Sequence, residues 1–211
     1  MIKSIIYTLT YIIFFIVVAI VLFINLAPQF GSNPSSEQKI FYDSFPNYSK
    51  GGFENFEATP MMTGEISTWD FFKGDSSRKP TSAILPKSIN FDSFAKPNSD
   101  YRLAWLGHSA FLINVIGKII LLDPMLGSHA APIPLSNLKR FNEVLPINLD
   151  SVDRIDFVVI SHDHYDHLDY STIKLLRDKV STFLAPHGIG NHLKKWGVKS
   201  NQIIELNWNE S

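Results

Sequence analysis

Residues 158–169 read VVISHDHYDHLD, and seven of them, SHDHYDH, hold three histidines and two aspartates directly behind an apolar run. Crowding such side chains costs solvation wherever they are buried, so a chain gathers them only where something outweighs that cost. The stretch RIDFVVIS that leads into them is almost continuously apolar and reads as a strand of a buried, parallel sheet. A polar cluster at the end of such a strand lies at the mouth of an α/β sheet, where these folds place their sites.

Cysteine is absent from the 211 residues, which excludes disulfides, thiolate metal sites and a cysteine nucleophile. Any metal must be held by nitrogen and oxygen. Imidazole and carboxylate are the ligands that Zn²⁺ accepts in catalytic sites without thiolate, and iron or manganese could use the same set. His162 and His164 are two apart, and both rings can be directed at one ion from an extended or looped backbone. Asp166 and His167 follow on the turn into the next segment and can reach a second ion beside the first. Two metals about 3.5–4 Å apart are how hydrolases clamp attacking and leaving oxygens. The plainer alternative is a solvated polar turn that caps a helix. Ser161 adjoins the cluster, but no base-and-acid pair flanks it, so it does not read as a serine nucleophile. Lys and Arg number 19 against 20 Asp and Glu, with no basic block, so nucleic acid is not an expected partner.

The surrounding pattern is α/β. YRLAWL, AFLINV and KIILLD are short β-rich runs, the last two predicted to form a hairpin turning at Ile116-Gly117. Asp123-Pro124 stops the third run, because proline cannot donate to a ladder. After the histidine cluster STIKLLRDKV has helical spacing, with Ser171 or Thr172 as the predicted cap. TFLAP is a strand, GIGNHLKKWG a short helix ended by Gly197, and IIELNW one more strand. Among the other candidates, Asp123 is expected to orient the histidine loop by hydrogen bonds and His108 to line the site or serve as a polar turn residue. Asp163 is expected to point away and brace the loop, and His187 and His192 to sit on the surface or in a groove.

Two segments precede this domain. Ile5–Leu26 carries no charged residue and reaches the roughly 20 apolar residues that span a bilayer, longer than the apolar core of a signal peptide. Residues 1–27 therefore read as an uncleaved single-span anchor. Lys3 on its short side places the amino terminus in the cytoplasm and the main domain on the other side. Residues 28–99 are rich in Pro, Ser, Asn, Gly and Phe, as in PQFGSNPSS, FPNYSKGGFENFEATPMM and FFKGDSSRKPTS. Disordered segments are poor in aromatics, so this stretch is expected to be an irregular arm whose phenylalanines pack against the domain of residues 100–211.

HDHYDH, His162 to His167, resembles the H-x-H-x-D-H signature of the metallo-β-lactamase superfamily, and the likeness runs from about Tyr101 to Trp208. WLGHSAFLI and ILLDPMLG look like motifs of the branch containing N-acyl-phosphatidylethanolamine phospholipase D and bacterial lactonases of ascorbate phosphate. PQFG…PNYSKGGFEN is similar to the arm of its membrane-associated members. The resemblance implies an αββα sandwich with a dinuclear site, usually zinc. His162 and His164 would bind the first ion, and Asp166 and His167 the second, with Asp166 also the candidate to pass a proton. With the anchor, it implies a membrane-bound hydrolase acting on a lipid or small-molecule phosphodiester.

An αββα domain is built from two similar halves, and the resemblance covers the first. The second would supply a further His, a bridging Asp and a last His, and none of these follows before Ser211. Apolar burial is worth about 25 cal/mol per Å², so losing a sheet interface of several hundred Å² costs on the order of 10 kcal/mol. The expectation is therefore a truncated domain, either inactive or completed by a partner chain. The competing reading is a non-catalytic membrane-anchored fragment.

Overall fold

The apolar N-terminal run forms one helix, α1 (Ile2–Leu26), with no buried residue and enough length and apolarity to cross a membrane. The computed structural model describes residues 2–57, 59, 80–82, 84–97, 101–135, 138–142 and 144–210. Of the predicted arm, the stretch FFKGDSSRK lies outside these residues.

The described part of the arm is more regular than its composition predicts. Ser35 and Gln38 form a reciprocal capping box that starts α2 (Ser36–Tyr42), an S-x-x-Q signal legible in the sequence. A hairpin follows, β1 (Tyr48–Ser49) against β2 (Gly52–Phe53), and Asn90 caps the short α3 (Phe91–Ala95). Phe41, Tyr42, Phe45 and Phe53 surround His187, with ring centroids 5.7, 6.1, 4.8 and 6.0 Å away. Asn47 and Asn207 exchange amide hydrogen bonds of 3.0 and 2.9 Å. His187 is thus packed under the arm, where the sequence suggests a surface or groove position.

The domain is a single six-stranded sheet in sequential order. β3 (Arg102–Gly107), β4 (Ala110–Val115) and β5 (Lys118–Leu122) are antiparallel, and β5 pairs parallel with β6 (Ile155–Val159). Helix α4 (Tyr170–Leu176) leads to β7 (Val180–Pro186) and α5 (Ile189–Lys195) to β8 (Ile203–Leu206), both strands parallel to their predecessors. Ile116 and Gly117 take φ of 52° and 82°, the left-handed pair of a two-residue hairpin turn. Parallel crossovers are right-handed, so strands laid down in one direction put α4 and α5 on one face. There Leu112, Leu121, Val158 and Phe183 pack with Ile173, Leu176, Ile189 and Leu193, all at most 4% exposed.

The opposite face carries two apolar rows. Leu103, Ile113, Ile120 and Phe157 are register partners across four strands, and Trp105, Phe111, Leu122, Val159, Leu184 and Ile204 across six. Leu103 and Trp105 are 66% and 65% exposed, and the middle of each row is half-buried. The described residues therefore form one layer of sheet with helices on one side, as the first half of an αββα arrangement requires.

Candidate metal centre

β6 ends at Val159 and its backbone continues in step with the sheet: Ile160 N donates to Leu184 O at 2.9 Å. The histidine loop then leaves the sheet edge and closes on itself, with His167 N and Leu168 N both donating to His164 O at 3.0 and 2.9 Å. Asp169 ends the loop and caps α4, its carboxylate accepting from Ser171 N at 3.0 Å. The sequence predicts Ser171 or Thr172 for this role. Instead both hydroxyls donate to Asp169.

Within the loop region, three candidate ligand atoms converge. Those of His108, Asp166 and His167 lie within 4.8 Å of one another. His108 Nε2 is 2.9 Å from Asp166 Oδ2, and His167 Nε2 is 3.8 Å from the same oxygen. His162 and His164 stand beside this group, the His162 ring centroid lying 4.1 Å from His167 and 4.6 Å from His164. The structure thus brings Asp166 and His167 of the signature together with His108, which enters from the turn between β3 and β4 in a left-handed conformation, φ 46°, while His162 and His164 lie alongside, outside the converging group. Nitrogen and oxygen donors at this separation, with no thiolate, form a set that fits a divalent cation of the zinc, iron or manganese kind.

A supporting layer fixes the donors. Asp123, 5% exposed, accepts from Ser161 N at 2.7 Å on one oxygen. Its other oxygen accepts from Ser161 Oγ at 2.8 Å and from His167 Nδ1 at 3.0 Å. A carboxylate on Nδ1 leaves Nε2 as the free lone pair, and Nε2 is the atom that faces Asp166. Asp123 itself has φ 42°, in the left-handed region just after β5. Ser109 Oγ sits 3.1 Å from the same His167 nitrogen, a neighbour with no signal in the sequence beyond its place after His108. Asp163 is exposed, and with Gln29, Tyr165 and His192 it lines a small cavity away from the donor group. His129 pairs with Ser128 Oγ at 2.9 Å outside the group.

Charge states follow from these surroundings. Burial, then the neighbouring His167 and His164, hold the His162 imidazole below its ordinary range, so it stays neutral with a lone pair to offer. Burial, then the Asp169 carboxylate, push the Tyr165 phenol up to about 12, which removes it as a base near neutral pH.

Trp105 braces the turn, its Nε1 donating to His108 O at 2.7 Å. Trp105→Phe is expected to cost about 1 kcal/mol and to weaken metal affinity by loosening His108. A denaturant midpoint and a metal titration on the same variant measure the two effects. Beside His108 a groove of about 1090 Å³ runs along Leu103, Trp105, Met125 and Phe141, with Lys139 and Arg140 on its wall. Burial depresses the Arg140 guanidinium, and Asp169 opposes that shift.

Comparison with known proteins agrees with this architecture. The Beta-lactamase superfamily domain matches residues 118–211, from β5 to the end of the chain. An uncharacterized protein of Mycobacterium tuberculosis is 34% identical over 172 residues, covering 79% of this chain and 45% of that protein. The N-acyl-phosphatidylethanolamine-hydrolyzing phospholipase D 1 of Caenorhabditis elegans is 33% identical over 143 residues, 64% of this chain and 39% of that one. A UPF0173 metal-dependent hydrolase of Caldivirga maquilingensis is 36% identical over 99 residues, 46% of this chain and 37% of that one. The chain spans less than half the length of each of these relatives. Residues 118–211, with the histidine loop at the edge of a mixed sheet, thus match the Beta-lactamase superfamily domain, and the relatives of the chain include a metal-dependent hydrolase.

Proposed function

We propose that the chain is the site-bearing part of a membrane-anchored, metal-dependent hydrolase that cleaves a phosphodiester in the manner of a phospholipase D. The observation that carries this reading is the convergence of His108, Asp166 and His167, with His162 and His164 alongside, at the end of a buried strand. His162 and His164 would hold a first Zn²⁺, and Asp166 and His167, joined by His108, a second. The chemistry a divalent cation supplies in such a set is Lewis-acid polarisation of a phosphoryl oxygen. Asp166, beside His108, is the group to hand a proton to the leaving oxygen. The groove supports an anionic substrate with apolar parts: its described lining includes Lys87, Arg102, Lys139 and Arg140 and no carboxylate. Helix α1 would anchor the domain at a lipid surface on the non-cytoplasmic side, which favours a lipid phosphodiester.

The open apolar face of the sheet favours a second reading, in which the chain works only when a partner polypeptide covers that face, or serves as a non-catalytic subunit. Metal analysis of the full chain in lipid nanodiscs separates the two. Close to two equivalents of bound zinc, with phosphodiesterase turnover abolished by His164→Ala, is the expected result. Less than one equivalent and no turnover overturns the hydrolase reading for the chain alone.

A further inference from the structure

The segment that leaves α1 does not hang free. Trp196 Nε1 donates to Pro28 O at 2.6 Å, and Ser32 N donates to His192 Nδ1 at 3.1 Å. Between these bonds Gly31 takes φ 67°, and a Cβ there would overlap the His192 ring. Further along, Gln38 Nε2 donates to Asn191 Oδ1 at 2.7 Å. Phe30 packs edge-on against Phe23 of α1, ring centroids 5.6 Å apart. On the other side Gln29 and Phe30 share a small cavity with His192, Trp196 and three residues of the histidine loop, Asp163, Tyr165 and Leu168. Residues 28–33 thus form a strap with α1 at one end, α5 beneath and the metal loop alongside.

Only an imidazole without a proton on Nδ1 accepts from Ser32 N–H. We propose that residues 28–33 are a pH-released clasp: neutral His192 holds the strap to the domain, and protonation of His192 frees it, uncoupling the N-terminal helix from the metal loop. Burial lowers the His192 pKa from 6.5, and Asp163 opposes that shift. The strap carries no charged residue, Glu37 and Lys39 of α2 and Lys194 and Lys195 of α5 are exposed, and Tyr165 stays protonated. His129, on the loop that brings Pro132 to the cavity, is paired with Ser128. His187 precedes α5 and faces Glu210 at 3.6 Å. A depressed folded pKa means that the contribution of His192 is full above the unfolded value of 6.5 and is lost as pH falls through the folded one.

Amide hydrogen exchange at Ser32, expressed as protection relative to Val158 in β6 and measured on the full chain in nanodiscs, tests the clasp without reference to activity. Protection of Ser32 is expected to fall about tenfold or more between about pH 7.5 and about pH 5 while Val158 stays protected. His192→Gln keeps an acceptor that does not titrate and should hold Ser32 at both pH values. His192→Leu should leave it unprotected at both. A wild-type protection that ignores pH, or a His192→Gln variant that loses protection in parallel with wild type, overturns the proposal. The wild-type measurement decides even if a variant fails to fold.

Discussion

Asp169→Ala is expected to lower the stability of the domain by about 3–5 kcal/mol, seen as a fall in the denaturant midpoint at unchanged slope. Asp169 is 1% exposed, and its carboxylate is the acceptor for four donors. Gly127 N reaches it at 2.7 Å from the loop after β5, and Ser171 N, Ser171 Oγ and Thr172 Oγ1 reach it at 3.0, 2.9 and 2.5 Å from the first turn of α4. Thr172 Oγ1 in turn accepts from Leu126 N at 3.0 Å. Removing the carboxylate leaves the buried Thr172 hydroxyl, the half-buried Gly127 amide and the first turn of α4 without their acceptor. A lost cap alone costs about 1 kcal/mol, and each buried donor left unpaired adds about 1–3 kcal/mol. The loop after β5 can approach so closely only because position 127 has no side chain: a Cβ there would lie 2.5 Å from Asp169 Oδ2. Asp169→Asn retains one carbonyl oxygen and should lose about half as much. A loss below about 1 kcal/mol in the alanine variant would mean that the loop and helix are held by packing, contrary to the unpaired-donor account.

The sheet was legible because its signals are local. VVI before the histidines, the alternation in AFLINV and the turn at Ile116-Gly117 each lie within a few residues of the structure they specify. The cluster from His162 to His167 was legible for the same reason. What escaped the sequence depends on partners far along the chain. Three side chains within four residues, Asp169, Ser171 and Thr172, can cap α4, and local propensity does not choose among them. The choice falls to Asp169 because Gly127, 42 residues earlier, presents its N–H there. His192 reads as a surface residue of a short helix until Ser32, 160 positions upstream, is laid on it. His108 could be read as a turn residue or as a site residue. Its 2.9 Å approach to Asp166 depends on a hairpin turn meeting the loop after β6, which no window of sequence contains.

Asp123→Ala should weaken metal binding by about 10- to 100-fold, the usual effect of deleting a carboxylate behind a ligating histidine. The residue is expected to act twice. Through His167 Nδ1, at 3.0 Å, it fixes which ring nitrogen keeps its lone pair and turns that nitrogen toward Asp166. Through Ser161 N and Oγ, at 2.7 and 2.8 Å, it fixes the point where the loop leaves the sheet. The alanine variant loses both functions, with a stability loss of about 2–3 kcal/mol from the donors it strands. Asp123→Asn separates them. An amide oxygen can still accept from Ser161 N, so folding should be largely kept, but the amide nitrogen opposite His167 is a donor and repels Nδ1–H. The imidazole is then driven to the other tautomer, with its proton on Nε2, where the cation would bind. Zinc titrations of the asparagine variant should therefore show nearly the full affinity loss of the alanine variant at a small part of its stability loss. Equal zinc affinity in wild type and both variants would detach Asp123 from the metal and leave it as an anchor of the loop backbone alone.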